Sequence, residues 1–170
     1  MNSSRHISLV GFMGSGKSTV GKQLSHVLQC PLFDTDSLIE MRRDKSIADI
    51  FAAEGEEKFR EYEYRLLLEL ANAPRPSVIV CGGGTPCFAD AMDILNAHSA
   101  TVYLQAPMEL LYARLKNEVL QRPLLQGKGD LKTFIAELLA QREPFYQKAE
   151  RTIAIEKKTV EEIAVEIAFI

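Results

Sequence analysis

The apolar positions change their period along the chain. Five short runs, Ile7–Val10, Leu32–Phe33, Val78–Cys81, Thr101–Leu104 and Thr152–Ile155, are rich in apolar, β-branched or aromatic residues. Each is bounded by loop or helix residues, as buried strands are. Between them the period lengthens to that of a helix, at Val20, Leu24, Val27 and Leu28, then at Phe59, Tyr62, Leu66 and Leu70. The same spacing returns at Ile135, Leu138 and Leu139, and at Val160, Ile163 and Ile167. Helices are therefore predicted after residue 17, over roughly Glu56–Asn72, over about Leu131–Gln141, and from Thr159 onward. Thr159-x-x-Glu162 has capping-box form, and Ser46-x-x-Asp49 marks a further helix start before Ile47, Ile50 and Phe51. Strand and helix alternate throughout. Such alternation predicts an α/β fold with a mostly parallel sheet and helices on both faces. Ligands should then gather at the carboxyl ends of the strands.

Composition narrows the setting. A chain of 170 residues suits one compact domain, here 1–170, with no linker, repeat or low-complexity tract. Apolar residues make up 46% and charged residues 25%, an ordinary soluble composition. The net charge of −3 gives no footprint for nucleic acid. No apolar run resembles a signal peptide or is long enough to span a bilayer. Cys30, Cys81 and Cys87 have neither disulfide-framework nor zinc spacing, which reads as free thiols in the cytoplasm. His6, His26 and His98 have no partner pattern and read as structural or exposed.

Three constellations follow predicted strands. The first, Gly11-Phe12-Met13-Gly14-Ser15-Gly16-Lys17-Ser18, fits Gly-x4-Gly-Lys-Ser between a strand and a helix, the context of a phosphate-binding P-loop. Gly14, Ser15, Gly16, Lys17, Ser18 and Thr19 would surround a nucleotide. The loop amides point at phosphate, Lys17 reaches the β- and γ-phosphates, and the Ser18 hydroxyl meets Mg²⁺. The second is Asp34-Thr35-Asp36. Alone it reads equally well as a polar turn. Beside a P-loop, a kinase needs one carboxylate near Mg²⁺ and another at an acceptor hydroxyl. The strand Val78–Cys81 ends in glycine, so Asp34 takes the metal side, through water, and Asp36 faces the acceptor. The third, Gly82-Gly83-Gly84, is either a tight turn or a place where backbone N–H groups approach a ligand. Arg60, Arg114, Arg122 and Arg142, taken singly, read as solvated surface charges.

Together these stretches resemble shikimate kinase over essentially the whole chain. The resemblance rests on the P-loop extended to Gly21, on Phe33-Asp-Thr-Asp-x-x-Ile-Glu40, and on Gly55-Glu56-x-x-Phe59-Arg60-x-x-Glu63. It is completed by Gly82-Gly83-Gly84, Arg122-Pro123-Leu124-Leu125 and Arg142-x-x-x-Tyr146. The P-loop alone fits many families; the combination is specific. The resemblance implies a three-layer P-loop kinase fold of nucleoside-monophosphate-kinase type with a five-stranded parallel sheet. It also implies ATP-dependent phosphorylation of the 3-hydroxyl of shikimate, by a monomer. Asp36, Arg60, Gly83 and Arg142, with Gly82 beside them, would contact shikimate. Lys17 and Arg122 would contact the transferring phosphate, and Arg114 would lie beside adenine. The segment 34–62 would bind shikimate and 117–130 would be a lid. Ser15 stands where alanine is commoner and Gln105 where aspartate is usual, and Thr85-Pro86-Cys87 would bring Cys87 near the acceptor. Rival readings are a kinase for gluconate or for a nucleoside monophosphate, or a nucleotide-dependent switch. The Asn-Lys-x-Asp expected of a GTPase is absent.

Overall fold

The structure, a computed structural model, describes residues 5–170. Five strands form one parallel sheet: β1 His6–Val10, β2 Leu32–Asp34, β3 Val78–Val80, β4 Ser99–Gln105 and β5 Arg151–Ala154. Their order is β2-β3-β1-β4-β5. Strand β1 is central and wholly buried, pairing Ile7 with Val78 on one side and with Ala100 on the other. From β1 the chain crosses towards the β2 edge; from β3 it crosses back over β1 to β4. Right-handed crossovers in opposite directions put their helices on opposite faces. The reversal lies between β1 and β3, so a crevice opens at their carboxyl ends, the expected place for a ligand.

The helices are α1 Lys17–Leu28, α2 Thr35–Arg43, α3 Ile47–Ala71, α4 Ala91–His98, α5 Met108–Leu115, α6 Leu131–Tyr146 and α7 Val160–Ala168. The expected caps are present: Ser46 accepts from Asp49 N–H, and Thr159 with Glu162 closes a capping box. Helix α1 packs on α7 through Val20 and Leu24 and on β3 at Gly21, where a Cβ would stand 2.5 Å from a Val80 methyl carbon. Helix α3 is two helices joined at Gly55, whose φ of 85° and ψ of 166° only glycine adopts readily. This agrees with the two separate helix signals in the sequence.

Helix α6 runs past the expected end at Gln141 to Tyr146, with Pro144 inside its last turn. A proline there removes one donor, and the helix stops three residues later at Gln147, so little bonding is lost. The extension has a functional consequence. Arg142 and Tyr146, four residues apart, fall on one buried face. Among the described residues no helix is long and apolar enough to cross a membrane.

Candidate active site

The P-loop leaves β1 at Gly11 and enters α1 at Lys17. Gly11, Gly14 and Gly16 have φ of 142°, 78° and 90°, the last serving as N-cap of α1 in left-handed conformation. Such geometry is cheap only for glycine. The backbone therefore wraps around the start of α1, where unsatisfied N–H groups and the helix dipole favour an anion. Lys17 is buried, and its Nζ donates to the carbonyls of Gly11 at 2.8 Å and Phe12 at 2.9 Å. Burial, helped by Arg122, pulls its pKa down to about 8, against the attraction of Asp36, Cys81 and Asp34.

The loop floors a cleft of about 480 Å³. Met13–Thr19 line it with Asp34, Asp36, Gly82, Gly83, Arg114 and Arg122, while Ile155, Lys158, Val160 and Ile163 form an outer wall. Every expected nucleotide-side residue is thus in one place. Ser18 donates through Oγ to Asp34 Oδ2 at 2.7 Å, and the other Asp34 oxygen accepts from Ser37 N–H, capping α2. Arg114 reaches from α5 and donates to the Gly14 carbonyl at 2.7 Å.

A second cleft of about 200 Å³ adjoins the first and shares Met13, Asp36, Gly82, Gly83 and Arg122 with it. Its other walls include Arg60, Glu63, Gly84 and Arg142, with the apolar faces of Ile47, Phe51, Phe59 and Leu124. The sequence-predicted acceptor residues are all here. Asp36 Oδ1 is buried and accepts no hydrogen bond among the described residues. Burial, reinforced by Glu63 and Asp34, pushes its pKa up to about 7, with Lys17 and Arg60 opposing.

The two arginines differ in a way the sequence did not show. Arg60 is held by Glu63 at 2.5 Å and by Glu56 at 2.9 Å. Glu63 in turn accepts from Thr85 Oγ1 at 2.5 Å. Arg142 is equally buried, yet its Nη1 has no hydrogen-bond partner among the described residues. A buried guanidinium nitrogen without an acceptor is costly, and an anionic ligand would relieve it. The three glycines pass close beneath these groups. A Cβ on Gly82 would collide with Glu63 and Asp36, and one on Gly84 would strike the Arg60 guanidinium.

Arg122 stands at the junction of the two clefts, with Nε and Nη2 both on Glu118 Oε2, at 2.7 and 2.6 Å. The segment around it is better anchored than its polar sequence implied: Leu125 is buried, although residues 126–130 are exposed. Cys87 sits in the short turn after Gly84; it lines neither cleft, but Arg142, Arg60 and Glu63 of the acceptor cleft act on its thiol. Burial raises its thiol pKa to about 11, which keeps it protonated and unreactive.

The family model for shikimate kinase matches residues 13–169. A shikimate kinase of Azobacteroides pseudotrichonymphae is 45% identical over 161 residues, which cover 94% of this chain and 95% of the relative. The chain belongs to the shikimate kinase family. Solved structures agree with this membership. The shikimate kinase of Acinetobacter baumannii in complex with shikimate superposes with a TM-score of 0.91 at 34% identity, covering 97% of this chain and 91% of that one. The Bacteroides thetaiotaomicron shikimate kinase gives a TM-score of 0.87 at 38% identity, covering 96% of each chain. The fold is accordingly that of the P-loop kinases, as the sequence motifs implied.

Several members of this family site had no assigned part in the sequence reading. Glu63 holds Arg60 and is itself held by Thr85, and Glu118 holds Arg122. Gln105, standing where aspartate is usual, donates to Glu143 at 3.2 Å on α6. The i, i+3 spacing of Arg60 and Glu63 and the i, i+4 spacing of Glu118 and Arg122 were the available signals. Thr85 and Gln105 had none, because their partners are distant in sequence.

Proposed function

We propose that this protein transfers the γ-phosphoryl group of ATP to the 3-hydroxyl of shikimate. One observation carries the reading: a P-loop cleft and a small arginine-bearing cleft share Asp36 and Arg122, so a nucleotide and a hydroxyl acceptor would meet between them. Shikimate is a small carboxylate with three hydroxyls. Arg142, with its unpartnered nitrogen, and Arg60 suit the carboxylate through paired N–H donors. Asp36 suits a hydroxyl. Its pKa of about 7 leaves it able to accept the hydroxyl proton near neutral pH. Lys17 exchanges its loop carbonyls for phosphate oxygens, and Arg122 exchanges Glu118 for the transferring group.

The Ser18 hydroxyl and Asp34 carboxylate are hard oxygen donors side by side, which fits Mg²⁺ held by one or two protein groups plus phosphate and water. When bound there, the ion would neutralise phosphate charge. Among the described residues no three His, Cys, Asp or Glu side chains gather into a cage of their own. In this reading residues 1–170 are one kinase domain acting as a cytoplasmic monomer, with 34–62 as the acceptor segment and 117–130 as the lid.

The test is ADP release with shikimate, gluconate, AMP and CMP offered in parallel. Turnover with shikimate alone is expected. The acceptor segment offers only Arg42, Arg43 and Arg60 between Asp36 and Glu63, and the first two are engaged by Glu69 and Glu54 on the outer surface. A phosphate-bearing acceptor lacks its arginines there. Faster turnover with a nucleoside monophosphate or gluconate would overturn the assignment.

A further inference from the structure

Tyr146 is wholly buried at the end of α6, yet its hydroxyl is placed with purpose. It donates to the carbonyl of Gly83 at 2.5 Å. That carbonyl belongs to the Gly83–Gly84 peptide. A trans peptide is planar, so fixing its C=O also fixes the direction of the Gly84 N–H on the opposite edge. Among the described residues, nothing accepts a hydrogen bond from the N–H of Gly83 or of Gly84. Both residues line the acceptor cleft. Three successive glycines give this turn no side chains to hold its tilt, and glycine backbone is the freest of all. Hydrogen bonds from Gly82 N–H to Thr35 and from the Thr85 and Cys87 N–H groups to the Gly82 and Gly84 carbonyls hold the peptides on either side, and among the described residues only the Tyr146 hydroxyl reaches the Gly83 carbonyl.

The same helix supplies Arg142, one turn earlier on the same buried face, with Nη1 at 3.6 Å from where a Gly83 Cβ would stand. The phenol ring rests against Tyr103 of β4, ring centroids 5.2 Å apart, so its position is set by the sheet. We propose that Tyr146 is a positioning residue for the acceptor: its hydroxyl fixes the Gly83–Gly84 peptide against Arg142, presenting backbone donors and guanidinium as one preformed surface. The phenol does this as a neutral donor, since burial holds its pKa well above the ordinary tyrosine range.

This inference rests on the reading of the second cleft as the shikimate site, and the experiment separates the two. Tyr146→Phe removes one oxygen and keeps the ring on Tyr103. Losing a neutral hydrogen bond that orders a binding surface should raise KM and Kd for shikimate roughly three- to tenfold. The KM for ATP and kcat should stay within about twofold, because among the described residues Tyr146 makes its hydrogen bond to Gly83 and its ring contact to Tyr103, and neither kind of contact to the P-loop or Asp36. A 3-fluorotyrosine at 146 retains a donor and should restore the wild-type KM, which a purely packing role does not require. If wild-type protein fails to turn over shikimate, the functional reading falls. If it does turn over shikimate and folded Tyr146→Phe binds it with unchanged Kd, or loses ATP and shikimate affinity equally, the positioning role is overturned. If Tyr146→Phe does not fold, the fluorotyrosine variant decides: a shikimate KM raised threefold or more despite a native fold overturns the role, and a wild-type KM supports it.

Discussion

Replacing Asp36 by asparagine should abolish turnover and stabilise the free protein, and the stabilisation should depend on pH. The Asp36 carboxyl has an ordinary pKa of 3.8 and is pushed up to about 7 in the fold, chiefly by burial and then by Glu63 and Asp34. An acid whose pKa is raised by folding binds its proton more tightly folded than unfolded. Below about pH 4 both states are protonated and Asp36 contributes nothing. Between about pH 4 and 7 the unfolded state ionises first, and stability falls by up to about 1.4 kcal/mol per pH unit. Above pH 7 the cost levels off at about 4 kcal/mol. Asparagine keeps the shape without the charge and escapes this cost. It also removes a charge that helps keep Lys17 protonated, and Lys17 is already pulled down to about 8 by burial. That attraction is already contained in the pKa of about 7, so the gain at pH 7 and above remains about 4 kcal/mol. Urea unfolding of the two proteins between about pH 3 and pH 8 should show midpoints that start together and separate by about 2 M. A separation that is the same at every pH, or a mutant less stable at pH 8, would refute the argument that a desolvated charge is stored at this position.

Three further outcomes follow from the same geometry. Arg142→Lys should weaken shikimate binding by roughly tenfold or more, and Arg60→Lys by less, because Arg60 is already engaged by Glu63 and Glu56 while Arg142 Nη1 has no partner; titration calorimetry with shikimate and ADP checks both the order and the sparing of ADP. Asp34→Asn should keep the cap on α2, since asparagine caps as well as aspartate, while raising the Mg²⁺ concentration needed for half-maximal rate; an unchanged Mg²⁺ titration would remove Asp34 from the metal side. Glu118→Gln should lower KM for ATP roughly two- to fivefold at low salt, since Arg122 no longer has to leave a half-exposed carboxylate worth about 0.2–1 kcal/mol; a raised KM would mean that Glu118 holds Arg122 where phosphate needs it.

What could be read from the sequence was what depends on local rules. The P-loop, the Ser46 and Thr159 caps and the strand runs are short-range patterns, and each stands where spacing placed it. The pairing order β2-β3-β1-β4-β5 is long-range and had no local signal. The end of α6 lies beyond the expected Gln141 because the apolar spacing stops at Leu139 while the helix runs on to Tyr146, where a proline in the last turn forfeits little bonding. At the site, residue types and their gathering were legible; their partners were not. Arg60 and Arg142 look alike as letters and differ only in that acidic groups surround one of them. Asp36 and Asp34, two residues apart, diverge because one is buried without a partner and the other caps a helix beside a serine.

These differences share a direction. Among the described residues Arg142 has a nitrogen without an acceptor, Asp36 an oxygen without a donor, and Gly83 and Gly84 N–H groups without partners. Lys17 satisfies itself on its own loop, and Arg122 on a neighbouring carboxylate. Each such group lies on the two clefts and raises the free energy of the unliganded protein. A phosphate placed on the P-loop would draw Lys17 and Arg122 away from their present acceptors, and a carboxylate-bearing alcohol would meet Arg142 and Asp36. Because Asp36 and Arg122 border both clefts, each ligand removes part of the cost that the other would otherwise face alone. Coupling between the two ligands is therefore expected from electrostatics before any lid moves, and by linkage it must be reciprocal. Nucleotide charge near Lys17 also competes for the ammonium that now attracts Asp36, which raises the basicity of the carboxylate at the moment a hydroxyl proton has to be accepted.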